Sequence, residues 1–548
     1  MNFKLSFFLL LILLSTLSSC TYYCGSNKLV RHFTAVPLTI PAVYDYGSSY
    51  SDKVDYDIHD SIIENYANLP LPADSKVAGQ TDAIRRILAK LVQKREMPEV
   101  NAFLMKLKQW DDHGTTSGLH PSGDYDFTEI TFCSVLYLFG DRPDLLYPKT
   151  VDHILDTLIT NSGSKVSVRM PGFKWLMRET ENHILMGEVS RYLKNQWLHE
   201  HGDTSFAYDN SKNGIEKWML NHLDEKFRGG FYEFNSDPYA GYSLQALLTL
   251  FSFTHSDTVR HATNKLLNEV MYEYSLSSIN ESRYTVFRRQ FHRAGEQPFD
   301  GDPVSSIVRV LVSRKTGEKL KVRARQHGII TLLLHYRLND SLADLITNTK
   351  KNYFALLGHG RMGAPEIYTG GNGYIISAGG MQRSFTSQLG ARPEMLLLDD
   401  HVSYRDSCFY LCAKGKMHHW NNTGVFRNFA CSDQAVHIPP QYKPILAKGD
   451  WQLYHDPLGK LNIFTYSAKN AGLLFVSEDH SLSDGASLDA LIRANEKLNL
   501  KKQFMLPGVG IITYDLHSAK NKWLIKSVNG KKMYRMIDKW GHMNVSSQ

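Results

Sequence analysis

Residues 179–183 read Glu-Thr-Glu-Asn-His, and Glu181, Asn182 and His183 precede a run in which Leu185, Val189, Tyr192 and Leu193 form one apolar helical stripe. At ~100° per residue, Glu181 and Asn182 fall near that stripe and His183 lies nearly opposite. On a solvated helix face the three need no explanation. In a helix packed on both sides they become a buried carboxylate, amide and imidazole, and each then requires a partner or a substrate. A second group follows His183 by 56 positions, in "FYEFNSDPYAGYSLQALL". There Ser236 or Asp237 can cap a helix that has Pro238 at its first position. Tyr239 then occupies the first turn, where the positive end of the helix favours an ionised phenol, a group that otherwise titrates near ~10. Such a place suits a tyrosine that passes protons; the plainer alternative is a Tyr lining a helix–helix contact.

The elements that must position these groups are legible in outline. A chain of 548 residues, 43% hydrophobic and 21% charged, is globular and too long for one core. From about residue 80 to 350, apolar residues recur at three and four, as in "TDAIRRILAKLVQKR", "FTEITFCSVLYLFG", "GFKWLMRETENHILMGEVSRYLKNQWL" and "SLADLITNTKKNYFALLG". The third of these predicts a single helix over about 173–198. Near residue 358 the texture changes to glycine-dense sequence, and short β-type runs follow with turn residues between them, among them "MLLLDD", "CFYLCAKG", "GVFRNFACS", "LNIFTYSA" and "GLLFVSED". The expected fold class is therefore multidomain α+β: an all-α domain over 76–355 and an antiparallel β-sandwich over 356–548, preceded by an irregular segment over 20–75. No fixed-period repeat is evident, which argues against a solenoid.

The formal charge of +7 comes from charges of both signs mixed along the chain, with no block of five Lys/Arg. That excludes a nucleic-acid-binding arm and leaves an acidic polysaccharide or an anionic surface as partner. The first residues carry one cation, Lys4, then an apolar run from Leu5 to Leu14, then small polar residues. This is the form of a secretory signal, over residues 1–19, and is too short for a membrane span. Its end, Leu17-Ser18-Ser19-Cys20, resembles the bacterial lipobox, which implies a lipid on Cys20 and a cell-envelope location. Thr21 follows where an Asp would retain the protein at the inner membrane, so outer-membrane sorting is expected. Five cysteines remain after Cys20, an odd number that does not make a disulfide framework. Cys408 and Cys412 are not followed by a second pair at ligand spacing, so no metal is expected there, and no cofactor elsewhere.

An Asn-His pair in one helix and a Tyr opening another, in a helical domain with a β-rich domain behind it, resembles the alginate-lyase and heparinase II/III-like polysaccharide lyases. Those proteins combine an (α/α) toroid with a trailing β-sandwich. The resemblance of architecture covers about residues 80–548; the motif is Asn182, His183 and Tyr239. It implies β-elimination in a uronic-acid polymer, with Asn182 holding the substrate carboxylate, His183 as base candidate, and Tyr239 as acid or as both acid and base. Glu181 and Tyr242, on the same two elements, are assigned with them to substrate binding. Arg288, Arg289 and His292, clustered in "YTVFRRQFHRAG", suit recognition of carboxylate or sulfate. The resemblance also implies a histidine lent by the sandwich domain, for which His359 and His401 are both candidates. Tyr232 and Glu233 stand where alginate lyases carry an Arg shortly before the Tyr.

Two other functions use the same scaffold. A toroid glycoside hydrolase needs two carboxylates, from Glu179, Glu181, Asp237, Asp300 and Asp302, but gives Asn182, His183 and Tyr239 no role. A glycan-capturing lipoprotein needs only the cleft.

Overall fold

The computed structural model describes residues 61–72, 80–109, 125–168, 179–236, 239–283, 285, 287–288, 302–318, 326–348, 352–359, 365–379, 389–390, 393–399, 407–412, 421–519, 521–540 and 543–547. The chain is mixed α+β, with helices in its N-terminal part and antiparallel sheets in its C-terminal part. One apolar core runs through the helices, from Ile63 and Ala67 to Leu342 and Ile346. Its members include Leu185, Val189 and Leu193 of the helix Glu181–Glu200, Leu136 of Asp126–Phe139, and Leu247 and Leu250 of Ala240–Phe253. These three helices carry the polar groups discussed below.

A six-stranded antiparallel sheet adjoins the helices, in the order Met543–Ser547, Tyr353–Leu357, Glu366–Gly371, Tyr374–Gly379, Glu394–Leu398, Phe409–Leu411. Its strands Tyr353–Leu357, Glu366–Gly371, Tyr374–Gly379 and Glu394–Leu398 are buried on both faces. Tyr353, Ala355 and Leu357 join the helical core, while Phe354 belongs to a second core and Leu356 packs against it. The neighbouring strand alternates in the same way, Tyr368 facing the helices and Ile367 the second core. That second core is shared with another six-stranded sheet, which contains Trp451–His455, Asn462–Ala468 and Ala471–Ser477, and with a four-stranded one, which contains Gln503–Leu506 and Gly510–Tyr514.

The structure differs from the sequence expectation in four places, each for a physical reason. "SLADLITNTKKNYFALLG" is not one helix: Asp340–Thr347 is helical and Tyr353–Leu357 is a strand. Burial of both strand faces removes the polar alternation that would have marked it. The expected boundary at 355/356 therefore falls inside a strand. "GVFRNFACS" is a hairpin, Val425–Phe426 with Phe429–Ser432, turning through Arg427 at φ 51°. The irregular segment assigned to 20–75 ends in a helix, Ser61–Ala67, whose Ile63 and Ala67 are in the helical core. Lastly, the helix expected over 173–198 begins at Glu181, after an extended Thr180 with ψ 155°. Glu181, Asn182 and His183 are thus its first turn and not its middle.

Candidate active site around Phe127

At a helix start the first N–H groups lack intrahelical acceptors, and side chains there are free to turn toward other elements. Thr180 stands at the cap position but does not cap; its hydroxyl donates to Asn182 Oδ1 at 2.8 Å. This fixes the amide with its oxygen taken. Nδ2 is buried and, among the described residues, has no hydrogen-bond partner. Leaving such a donor unsatisfied costs about 1–3 kcal/mol, so an acceptor is expected beside it.

His183 turns the other way. Its Nδ1 lies 2.7 Å from Asp126 Oδ2, in the first turn of the helix Asp126–Phe139. The carboxylate can only accept, so Nδ1 carries a proton, and in the neutral ring the lone pair is then on Nε2. The imidazole stacks on Phe127, centroids 5.1 Å apart and planes at 18°. Phe127 also stacks on Tyr242 at 4.3 Å and 10°, and Tyr239 is tilted against it at 6.1 Å. One phenylalanine thereby gathers His183, Tyr239 and Tyr242 from two helices onto a third.

Tyr239 is half-buried and stands at the cap position itself, since the helix begins at Ala240. It is thus one place earlier than the first turn expected of it, still against the positive helix end. Asp237 and Pro238 lie outside the described residues. Beyond Tyr242 the polar chain continues inward. The His327 ring meets Tyr242 edge-on at 4.6 Å, and its Nδ1 is 3.0 Å from Gln245 Oε1, whose amide donates to Thr131 Oγ1 at 3.0 Å. Burial, aided by the Arg85 charge, holds the His327 imidazole well below the usual histidine range, so it is neutral. Gly241 permits this approach: a Cβ there would lie 2.9 Å from His327 Nε2 and 2.5 Å from Pro303 Cβ.

Glu181 serves a different purpose from the substrate contact expected of it. Its buried carboxylate accepts from Lys226 Nζ at 2.5 Å and from the backbone N–H groups of Tyr232 at 3.0 Å and Glu233 at 2.5 Å. It ties down the segment that leads to Tyr239. Taking away the ammonium leaves a buried carboxylate on backbone donors alone, so Lys226→Met is expected to cost about 3–5 kcal/mol in urea denaturation. Adding Glu181→Gln to Lys226→Met should recover part of that loss.

One turn after Asp126, Glu129 is fully enclosed in a nest formed by Thr160 and Asn161, with Thr160 N–H at 2.6 Å and Asn161 N–H at 3.1 Å. Burial raises its carboxyl from an ordinary 4.5 to about 7, against the pull of those donors. The folded protein therefore holds a proton there that the unfolded chain releases. The stabilisation is complete below pH 4.5 and is lost as pH rises through about 7. Unfolding free energies from urea titrations at pH 5 and pH 8 should differ more for the wild type than for Glu129→Gln, by an amount on the order of 3 kcal/mol.

The remaining predicted residues are not in the Phe127 cluster as described. His359 stacks face to face on Phe234, centroids 3.4 Å apart, and pairs with Glu366 Oε1 at 2.7 Å. Arg288 lies in a two-residue strand whose backbone pairs with Leu389, while Arg289, His292, His401 and Cys20 lie outside the described residues. Of the carboxylate pool, Asp302 caps the helix Pro303–Thr316 and pairs with Arg283 at 2.8 Å. Burial pushes its carboxyl up, but the guanidinium overrides this and holds it at about 2.

Sequence reasoning missed Asp126, Phe127, Gln245 and His327. The available signal was an acid and an aromatic, "DF", opening a helix that is otherwise apolar. Comparison with protein-family models, with curated proteins and with solved structures finds no match to this chain.

Proposed function

We propose that the chain is a polysaccharide lyase that cleaves a uronic-acid-containing polymer by β-elimination, with the helices as an (α/α) toroid and the sheets as a trailing β-sandwich. The observation that carries this reading is the convergence on Phe127 of an Asp126-held His183 and of Tyr239, with Asn182, next to His183 in the same helical turn, carrying a buried Nδ2 that has no partner among the described residues. In the reaction, Asn182 Nδ2 donates to the uronate carboxylate and stabilises the enolate-like charge that develops there. His183 Nε2 removes the C5 proton, the released pair forms the C4–C5 double bond, and the C4–O4 bond breaks. Tyr239 protonates the departing O4. Phe127 and Tyr242 form the apolar wall that keeps these groups in place.

The hydrolase reading loses support, since Glu181 and Asp302 are both engaged in buried ion pairs. A capture protein without turnover is favoured by a single feature, the backbone-bound Tyr232 and Glu233 where alginate lyases carry an Arg. The lipobox-like Leu17–Cys20 supports attachment to the envelope through lipid; among the described residues no helix is long and apolar enough to cross a membrane. The mass of the products separates the chemistries. Elimination adds no water and leaves an unsaturated new non-reducing end, whereas a saturated non-reducing end, with one water added per cleavage, means hydrolysis and refutes the proposal.

A further inference from the structure

The segment 232–236, which delivers Tyr239 to Phe127, is held from two sides. On the helical side Glu181 takes the N–H groups of Tyr232 and Glu233. On the other side stands the six-stranded sheet. Glu366, the first residue of the strand Glu366–Gly371, faces the helices, as does Tyr368 two residues on. Its buried carboxylate accepts from three donors: His359 Nε2 at 2.7 Å, Asn235 Nδ2 at 2.7 Å and the Tyr368 hydroxyl. Asn235 is in the left-handed region, φ 47°, and its Oδ1 accepts from Arg283 at 2.9 Å; Arg283 is itself fixed by Asp302. With both ends of the Asn235 side chain occupied, its strained backbone has one orientation, and the Ser236 carbonyl follows. That carbonyl receives the N–H of Tyr239 at 3.2 Å and of Ala240 at 2.9 Å. An unbroken series of bonds thus runs from the sheet to the residue that opens the helix.

We propose that Glu366 is a positioning residue for Tyr239, acting through Asn235, so that the strand-rich part of the chain sets the geometry of the proton donor. A cavity of about 60 Å³, lined in part by Asn235, Arg283, His359 and Glu366, adjoins this network and holds no more than a few waters. His359, one of the two histidines that the family resemblance offers for the site, is in this arrangement one of three donors that keep Glu366 in register. An amide at 366 presents donors where Asn235 already donates. Reversing both partners restores the bond: in Asn235→Asp with Glu366→Gln, the new amide donates to residue 235 and accepts from His359, the Tyr368 hydroxyl can turn to accept, and Arg283 still meets an oxygen. Asp tolerates the left-handed backbone, though less readily than Asn.

The kinetic part of the test rests on the lyase reading, so a readout independent of activity is included. Protein labelled with 3-fluorotyrosine gives a fluorine resonance for Tyr239, identified by its disappearance in Tyr239→Phe. The Tyr239 resonance is expected to shift or broaden in Glu366→Gln and to return in the double variant. An unchanged Tyr239 resonance in Glu366→Gln overturns the proposal, whatever the protein does to sugars. If the resonance moves but no uronate polymer is cleaved by the wild type, the positioning stands and the lyase reading falls. With turnover, Glu366→Gln should lower kcat about 10–10²-fold and leave KM within about twofold. It should add nothing further to Tyr239→Phe. A loss in KM alone, or full additivity with Tyr239→Phe, contradicts action through Tyr239.

Discussion

Tyr239→Phe is expected to abolish detectable elimination while leaving the fold intact. The change deletes one oxygen from a half-buried ring and keeps its tilted contact with Phe127, 6.1 Å between centroids. Binding of polymer should persist, because Asn182 is untouched. What disappears is the proton for the departing O4, and with it a factor of about 10²–10⁴ in kcat. Placement at the helix cap strengthens the expectation, since the positive end of the helix stabilises the phenolate that remains after proton transfer. Rates with wild type and variant, alongside binding isotherms on the same polymer, check this. Equal rates would remove Tyr239 from the chemistry.

The second large effect concerns His183. Replacing it with Ala takes away the group that Asp126 holds at 2.7 Å and Phe127 supports from below, and should cost about 10²–10⁴-fold in kcat. Added imidazole should return part of the rate, as it fits the space vacated above Phe127. Asp126→Asn isolates the role of the carboxylate. The ring keeps its stack, yet the group that selects the Nδ1–H tautomer and balances the imidazolium is gone, and a loss of tenfold or more is expected. Were His183 only a packing residue, Asp126→Asn would change stability and leave kcat alone.

The sequence carried the helical and strand-rich halves because period and composition change sharply near residue 358. It also placed Asn182, His183 and Tyr239 at the right elements, though not at the right turn of each. The stop of the 181–200 helix was readable and its start was not, since Thr180 bonds to Asn182 in place of giving a backbone cap. Phe127 and Asp126 were out of reach for a different reason. They meet His183 across 56 and 57 positions, and although "DF" stands out at the start of an apolar helix, nothing in it names a partner at that range. Glu181 shows the converse failure: a carboxylate beside an Asn-His pair reads as a ligand group, while the structure gives it Lys226 and two backbone donors. Glu366 and Asn235 form a bond across 131 positions between a strand and a turn, and each looks unremarkable in its own neighbourhood.

The most direct test of the central claim is the ultraviolet absorbance of products when purified protein lacking residues 1–20 is given a panel of uronate polymers. A rising conjugated-enoate signal on at least one polymer, lost in Tyr239→Phe and in His183→Ala, is the predicted result. No signal on any polymer that the wild type binds, or a signal that survives both substitutions, would contradict the assignment of elimination to this cluster.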